Sequence, residues 1–152
     1  MKSRHAWSVL LYGGLLSLAA CSNEDTSARP PTVVVQRWYT QAQVERGYDL
    51  FQQYCAECHK PDASGDPNWK QVNAEGKLPP PPLNGTAHAW HHPLPLLRQI
   101  VRNGGIPMGG SMPPFKDKLK AEEIDAVLAW VQSHWSDEIY ATWNRIDQRK
   151  KQ

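Results

Sequence analysis

Apolar residues recur along this chain in four helical patterns, and a long stretch rich in glycine and proline separates the first from the other three. Thr40 followed by Gln43 forms a capping box, after which Val44, Gly47, Tyr48, Phe51 and Tyr54 repeat at helical spacing up to Cys55. Pro93 to Val101 reads as a short helix, started by proline and stopped by Asn103-Gly104-Gly105, with Leu96, Leu97, Ile100 and Val101 turned inward. Ala121 to Trp135 places Ile124, Val127, Leu128, Val131 and Trp135 on one side, with Glu122 and Glu123 at the positive end of the helix dipole. Ser136 to Gln152 carries Ile139, Trp143 and Ile146 on one face. Between the first and second patterns, Asp62 to Gly76 holds turn formers, and Leu78 to Gly85 is too proline-rich for a helix or a central strand. The pattern therefore predicts an all-α domain with a wrapping loop in its middle.

The first twenty residues stand apart. Lys2 and Arg4 precede an almost wholly apolar run from Ala6 to Ala20, too short for a comfortable membrane span, so residues 1–20 read as a secretory signal peptide. Its end, Leu18-Ala19-Ala20-Cys21, resembles the lipobox of bacterial lipoproteins, which makes Cys21 the lipidated first residue of the mature protein. The other reading is an ordinary leader with an incidental cysteine. Residues 21–36 are polar up to Pro30-Pro31 and then carry Val33-Val34-Val35, a flexible tether that ends in a short extended piece and reaches a few nanometres at most from a membrane surface. Loss of Lys2 and Arg4 with the leader balances basic against acidic residues, so nothing points to nucleic acid.

The candidate chemistry sits where the first helical pattern ends. Cys55-Ala56-Glu57-Cys58-His59 is a C-x-x-C-H sequence, the pattern of covalent c-type haem attachment. Two thiols one turn apart can each form a thioether to a haem vinyl group, and the histidine beside them falls under the iron. A dithiol redox motif calls for βαβ surroundings that are missing here, and a zinc site calls for two more ligands. With Cys21 assigned to lipid and two cysteines to haem, none of the three is left for a disulfide.

Gly47-x-x-x-Phe51-x-x-x-Cys55-x-x-Cys58-His59 resembles the first helix and haem motif of class I cytochromes c, and the likeness extends over roughly Trp38 to Trp135. The resemblance implies that Gly47 permits a close crossing by the last family helix, with Val127 and Trp130 meeting Gly47 and Phe51. Lys120 departs from the Ser or Thr cap of many relatives, so that helix is expected to start loosely. Pro82-Leu83-x-Gly85 resembles the segment whose proline carbonyl accepts a hydrogen bond from the proximal histidine, which assigns that role to Pro82, neighbouring prolines leaving the register open. Met112-Pro113-x-Phe115 looks like the M-P-x-F segment that supplies the second axial ligand, with Met108 as the alternative. His88, His91 and His92 invite a metal reading but suit a surface or capping role better.

The reading that results is a cytochrome c fold over residues 37–135, wrapped around one covalent haem c, with a C-terminal helical extension over 136–152 that folds back against Trp38 or Trp135 and frays from about Gln148. Cys55, Cys58, His59, Pro82 and Met112 form the cofactor site, and His59 and Met112 hold the iron. His/Met ligation leaves no vacant position for a substrate and favours electron transfer. The expected protein is a single-electron carrier, lipid-anchored on the periplasmic face of a bacterial membrane, with redox proteins as donor and acceptor. The alternatives are a cytochrome subunit of a larger respiratory oxidoreductase and a haem enzyme or sensor with an open distal site. Lys116, Lys118 and Lys120, with Arg98 and Arg102 nearby, supply a basic rim for docking.

Overall fold

The computed structural model describes residues 35–149. The leader, Cys21 and nearly all of the tether lie outside those residues, as does the end of the extension at 150–152. Among the described residues five α-helices follow in order: α1 (Gln41–Tyr54), α2 (Ala56–His59), α3 (Leu94–Asn103), α4 (Ala121–Ser133) and α5 (Asp137–Arg149). Among the described residues no strand forms, and the only extended pairing is an isolated bridge between Leu78 and Gly110. The fold is all-α, in agreement with the hydrophobic pattern.

Helix α1 begins at the capping box: the Gln43 N–H donates to the Thr40 hydroxyl at 3.3 Å, and the Thr40 N–H donates to Gln43 Oε1 at 2.9 Å. It buries Gly47, Leu50 and Phe51 and packs mainly on α4. The Phe51 and Trp130 rings lie 4.2 Å apart, as the family resemblance implies. Gly47, however, faces the backbone of Ala126 rather than Val127, and a Cβ built there would fall inside the contact shell of the Ala126 carbonyl and 2.9 Å from Trp130 Cβ. Ala126 and Trp130 are four residues apart and share one ridge of α4, matching the four-residue step from Gly47 to Phe51. Val127 lies about 100° further round the helix and is buried elsewhere in the core.

The start of α4 is better held than a lysine cap predicts. Glu123 Oε2 accepts the N–H of Lys120 at 3.1 Å, and Glu123 Oε1 takes Arg46 of α1 at 2.9 Å. Half of a capping box thus works without the cap side chain, because only the N3 carboxylate has to reach back.

Helix α3 buries Leu94, Leu97 and Val101, while Leu96 and Ile100, expected inward, are only partly covered. Helix α5 folds back on the domain. Trp143 is 1 % exposed and Tyr140 equally buried, and the Trp135 and Trp143 rings meet edge to face at 6.0 Å. The buried face runs through Tyr140, Trp143 and Asp147, and Ile139 and Ile146 sit at its margins. The rotation follows from polar tips that apolar periodicity does not register. Tyr140 Oη accepts the Trp38 N–H at 3.0 Å, and Asp147 Oδ1 accepts the Leu94 N–H at 2.8 Å.

Candidate haem site

Cys55 sits at the break between α1 and α2, where φ −121° and ψ −31° depart from the helix. Its N–H still closes α1 on Phe51, and its carbonyl accepts from Cys58 at 3.2 Å and from His59 at 2.9 Å. One tight turn therefore carries both thiols and presents His59 at its end. Cys55 is half-buried against the core and Cys58 is exposed, and both thiols are free. Burial, helped by the neighbouring Cys58, pushes the Cys55 thiol up to about 11. That is the reverse of the depressed pKa that activates the attacking thiol of a dithiol redox motif, so Cys55 is a poor nucleophile.

His59 is 8 % exposed, and its Nδ1 lies 3.0 Å from the carbonyl of Pro81. A carbonyl only accepts, so the ring proton sits on Nδ1 and the Nε2 lone pair is left for a metal. Burial lowers the pKa of the ring, against a smaller opposing effect of the Pro81 bond, which keeps the imidazole in the neutral form that ligates iron.

The acceptor is Pro81, one residue before the expected Pro82. Four hydrogen bonds pin this register: Asp66 N–H to Pro80 O at 2.8 Å, His59 Nδ1 to Pro81 O, Leu83 N–H to Ala63 O at 2.8 Å, and Trp135 Nε1 to Leu83 O at 2.8 Å. Gly65 makes the approach possible. It has φ +61°, donates its N–H to His59 O at 2.9 Å, and a Cβ there would stand 2.5 Å from the Pro81–Pro82 peptide. Prolines lack N–H groups, so a proline run offers carbonyls alone, which suits a segment whose task is to accept.

Of the two candidate methionines, Met112 is partly buried and packed on the core, whereas Met108 is 56 % exposed at the end of a 3-10 turn. The loop that carries Met112 is tied down by backbone bonds, with Gly105 N–H to Met112 O at 2.9 Å and Leu78 N–H to Gly109 O at 3.0 Å.

The remaining candidates are placed outside the site. His88 stacks on Trp69 at 4.9 Å and meets His92 edge to face at 5.3 Å, while His91 stacks on Trp90 at 3.7 Å. Burial and neighbouring imidazoles hold the pKa of His88 and of His92 below the ordinary histidine value. Among the described residues no group of three or more His, Cys, Asp or Glu side chains is arranged to hold a metal ion. Arg98 is withdrawn from the basic rim by a two-pronged bond to Asp125 at 2.6 and 2.8 Å.

A buried neutral imidazole with its free nitrogen, two free thiols on the preceding turn, and a partly buried thioether on a Gly- and Pro-rich loop make a donor set that fits haem c. Such a group supplies reversible one-electron chemistry at its iron. Helical fold and site together define a c-type cytochrome with covalently bound haem and iron.

The family model described as cytochrome c oxidase, cbb3-type, subunit III matches residues 42–131, and the chain belongs to that family. It is also similar to the Cbb3-type cytochrome c oxidase subunit FixP of Sinorhizobium medicae (strain WSM419), 28 % identical over 125 residues. That alignment covers 80 % of this chain and 38 % of the relative, so the chain spans less than two fifths of the relative's length. No solved structure matches the chain. The family match runs from α1 into α4 and leaves α5 outside it. No helix among the described residues is long and apolar enough to cross a membrane.

Proposed function

We propose that this cytochrome carries single electrons on the periplasmic side of a bacterial membrane, held there by lipid on Cys21, and exchanges them with a membrane respiratory oxidase. Cys55 and Cys58 form the thioethers, His59 and Met112 are the axial ligands, and the Pro81 carbonyl orients His59. The observation that carries this reading is the His59 ring, buried directly after the two thiols with Nδ1 committed to Pro81 and Nε2 left over. A second reading, a fixed subunit of that oxidase, is favoured by the family description and by the name of the FixP relative. One comparison separates them. In the native chain and in Cys21→Ala, haem should stay with the polypeptide through denaturing electrophoresis, because thioethers survive unfolding and mere ligation does not. Cys21→Ala should release the haem protein from the membrane fraction. Haem lost on denaturation would end the covalent assignment, and a Cys21→Ala protein that still co-sediments with an oxidase would favour the subunit.

The partner docks beside the ligand loop. Lys116 N–H bonds to Arg102 O at 3.1 Å, which brings Arg102 and Lys116 together on the rim with Lys118 close by, while Ile106 and Met108 stand exposed on the loop itself. An apolar centre with a cationic edge suits an acidic redox partner. Electron-transfer rates should therefore fall as salt is raised, and fall further in a Lys116→Glu, Lys118→Glu protein. Rates indifferent to both changes would place the contact elsewhere.

A further inference from the structure

Helix α3 starts without a cap of its own. Pro93 occupies the N-cap position and brings no side-chain acceptor, so the Leu94 N–H needs a partner from outside the helix. That partner is Asp147, 53 positions away on α5, 2 % exposed and 2.8 Å from the Leu94 nitrogen. Trp143 secures the same corner, its Nε1 donating to His92 O at 2.9 Å just before α3 begins. The opposite end of α5 is tied to the chain entering the domain: Arg37 reaches Asp137 at 2.6 Å, and Tyr140 accepts from Trp38.

The other end of α3 runs straight into the ligand loop. Gly104 N–H closes the helix on Ile100 at 2.9 Å, and the next residue, Gly105, donates to Met112 O at 2.9 Å. Just beyond Met112, Phe115 N–H bonds to Val101 O and Lys116 N–H to Arg102 O, each at 3.1 Å. The Met112 segment is thus laced to the last turn of α3 on both sides. A helix of ten residues is about 15 Å long and stiff along its axis, so an anchor at one end constrains what hangs on the other.

We infer that Asp147 is a positioning residue for the methionine ligand: α5 acts as a clamp that holds α3 by its N-terminus, and through α3 keeps Met112 on the iron. The inference rests on the assignment of Met112 as axial ligand. It gives the extension a role in the redox site that the residues shared with the family do not contain.

The test uses the ferric holoprotein and added cyanide, which binds iron only when the thioether has swung away. Asp147→Ala should bind cyanide about tenfold faster than native protein, the factor that corresponds to losing one side-chain hydrogen bond at the upper end of the ordinary range. Asp147→Asn keeps an oxygen for the Leu94 N–H and should stay close to native. Tyr140→Phe loosens the far end of α5 and should lower the melting temperature without a comparable gain in cyanide binding. Equal acceleration in Asp147→Ala and Tyr140→Phe, or none in Asp147→Ala, would overturn the inference, since either result makes α5 general packing. Hydrogen exchange on the native holoprotein needs no variant: the Leu94 and Gly105 amides should open together, and unrelated exchange rates would count against the clamp. Native ferric protein without a thioether-to-iron charge-transfer band would overturn the Met112 assignment and this inference with it.

Discussion

Replacing Gly47 by alanine should destabilise the protein by roughly 3 kcal/mol or more, lowering its melting temperature by about 10 °C or beyond. The added methyl has nowhere to go. It would meet the carbonyl of Ala126 and the Cβ of Trp130, and both belong to the rigid part of α4 rather than to the end of a flexible side chain. Relief requires α1 and α4 to move apart, which opens the contact between Phe51, fully buried, and the Trp130 ring. The gain from alanine's better helix propensity, about 1 kcal/mol, is smaller than that loss and of opposite sign. The effect reaches the site because α1 runs directly into Cys55, so a tilt of α1 shifts the turn that presents His59. Thermal unfolding of the holoprotein decides the matter, and melting within a degree or two of native would mean that the crossing is looser than its geometry indicates.

What the sequence made legible is what depends on short, local spacing. The C-x-x-C-H turn, the Thr40 to Gln43 box and the helical runs all lie within a few residues of themselves, and each is found where the pattern puts it. The register of the proline run was not legible in this way. Four consecutive prolines present four similar carbonyls, and the choice of Pro81 is made by bonds donated from Asp66 and Trp135 and by the Leu83 N–H donating to Ala63 O, the Trp135 donor lying 52 positions from its acceptor. The same holds for Ala126 in place of Val127: periodicity says that both are buried, but only the crossing of two helices says which backbone touches Gly47. Asp147 is the hardest case. A carboxylate near the end of a charged helix reads as solvated, and nothing within α5 reveals that a helix started by proline elsewhere lacks a cap. One signal was available, namely that Pro93 leaves Leu94 without a local acceptor, which poses the question of where that N–H finds its partner.

Substituting Met112 by alanine should change the redox behaviour more than any other single replacement outside the C-x-x-C-H turn. Met112 is held for the role by its partial burial and by the Gly105 bond to its carbonyl, while Met108 points its exposed side chain away from the core. On the proposed assignment of Met112 as axial ligand, loss of the thioether removes the group that raises the potential, and the midpoint should fall by on the order of 100 mV or more, a modest share of the roughly 0.8 V range that axial ligands span. For a one-electron couple, about 100 mV is a roughly fifty-fold change in the equilibrium with any partner, enough to stall forward transfer to an acceptor matched to the native protein. The vacated position should also take up cyanide at once, without the lag imposed by a departing methionine. Met108→Ala should leave potential, spectrum and cyanide binding unchanged, since its side chain lies exposed on the surface. Potentiometric titration of the two variants side by side reads the assignment directly: a large fall in Met108→Ala with none in Met112→Ala would exchange their roles, and no fall in either would point to a histidine or an open position at the iron.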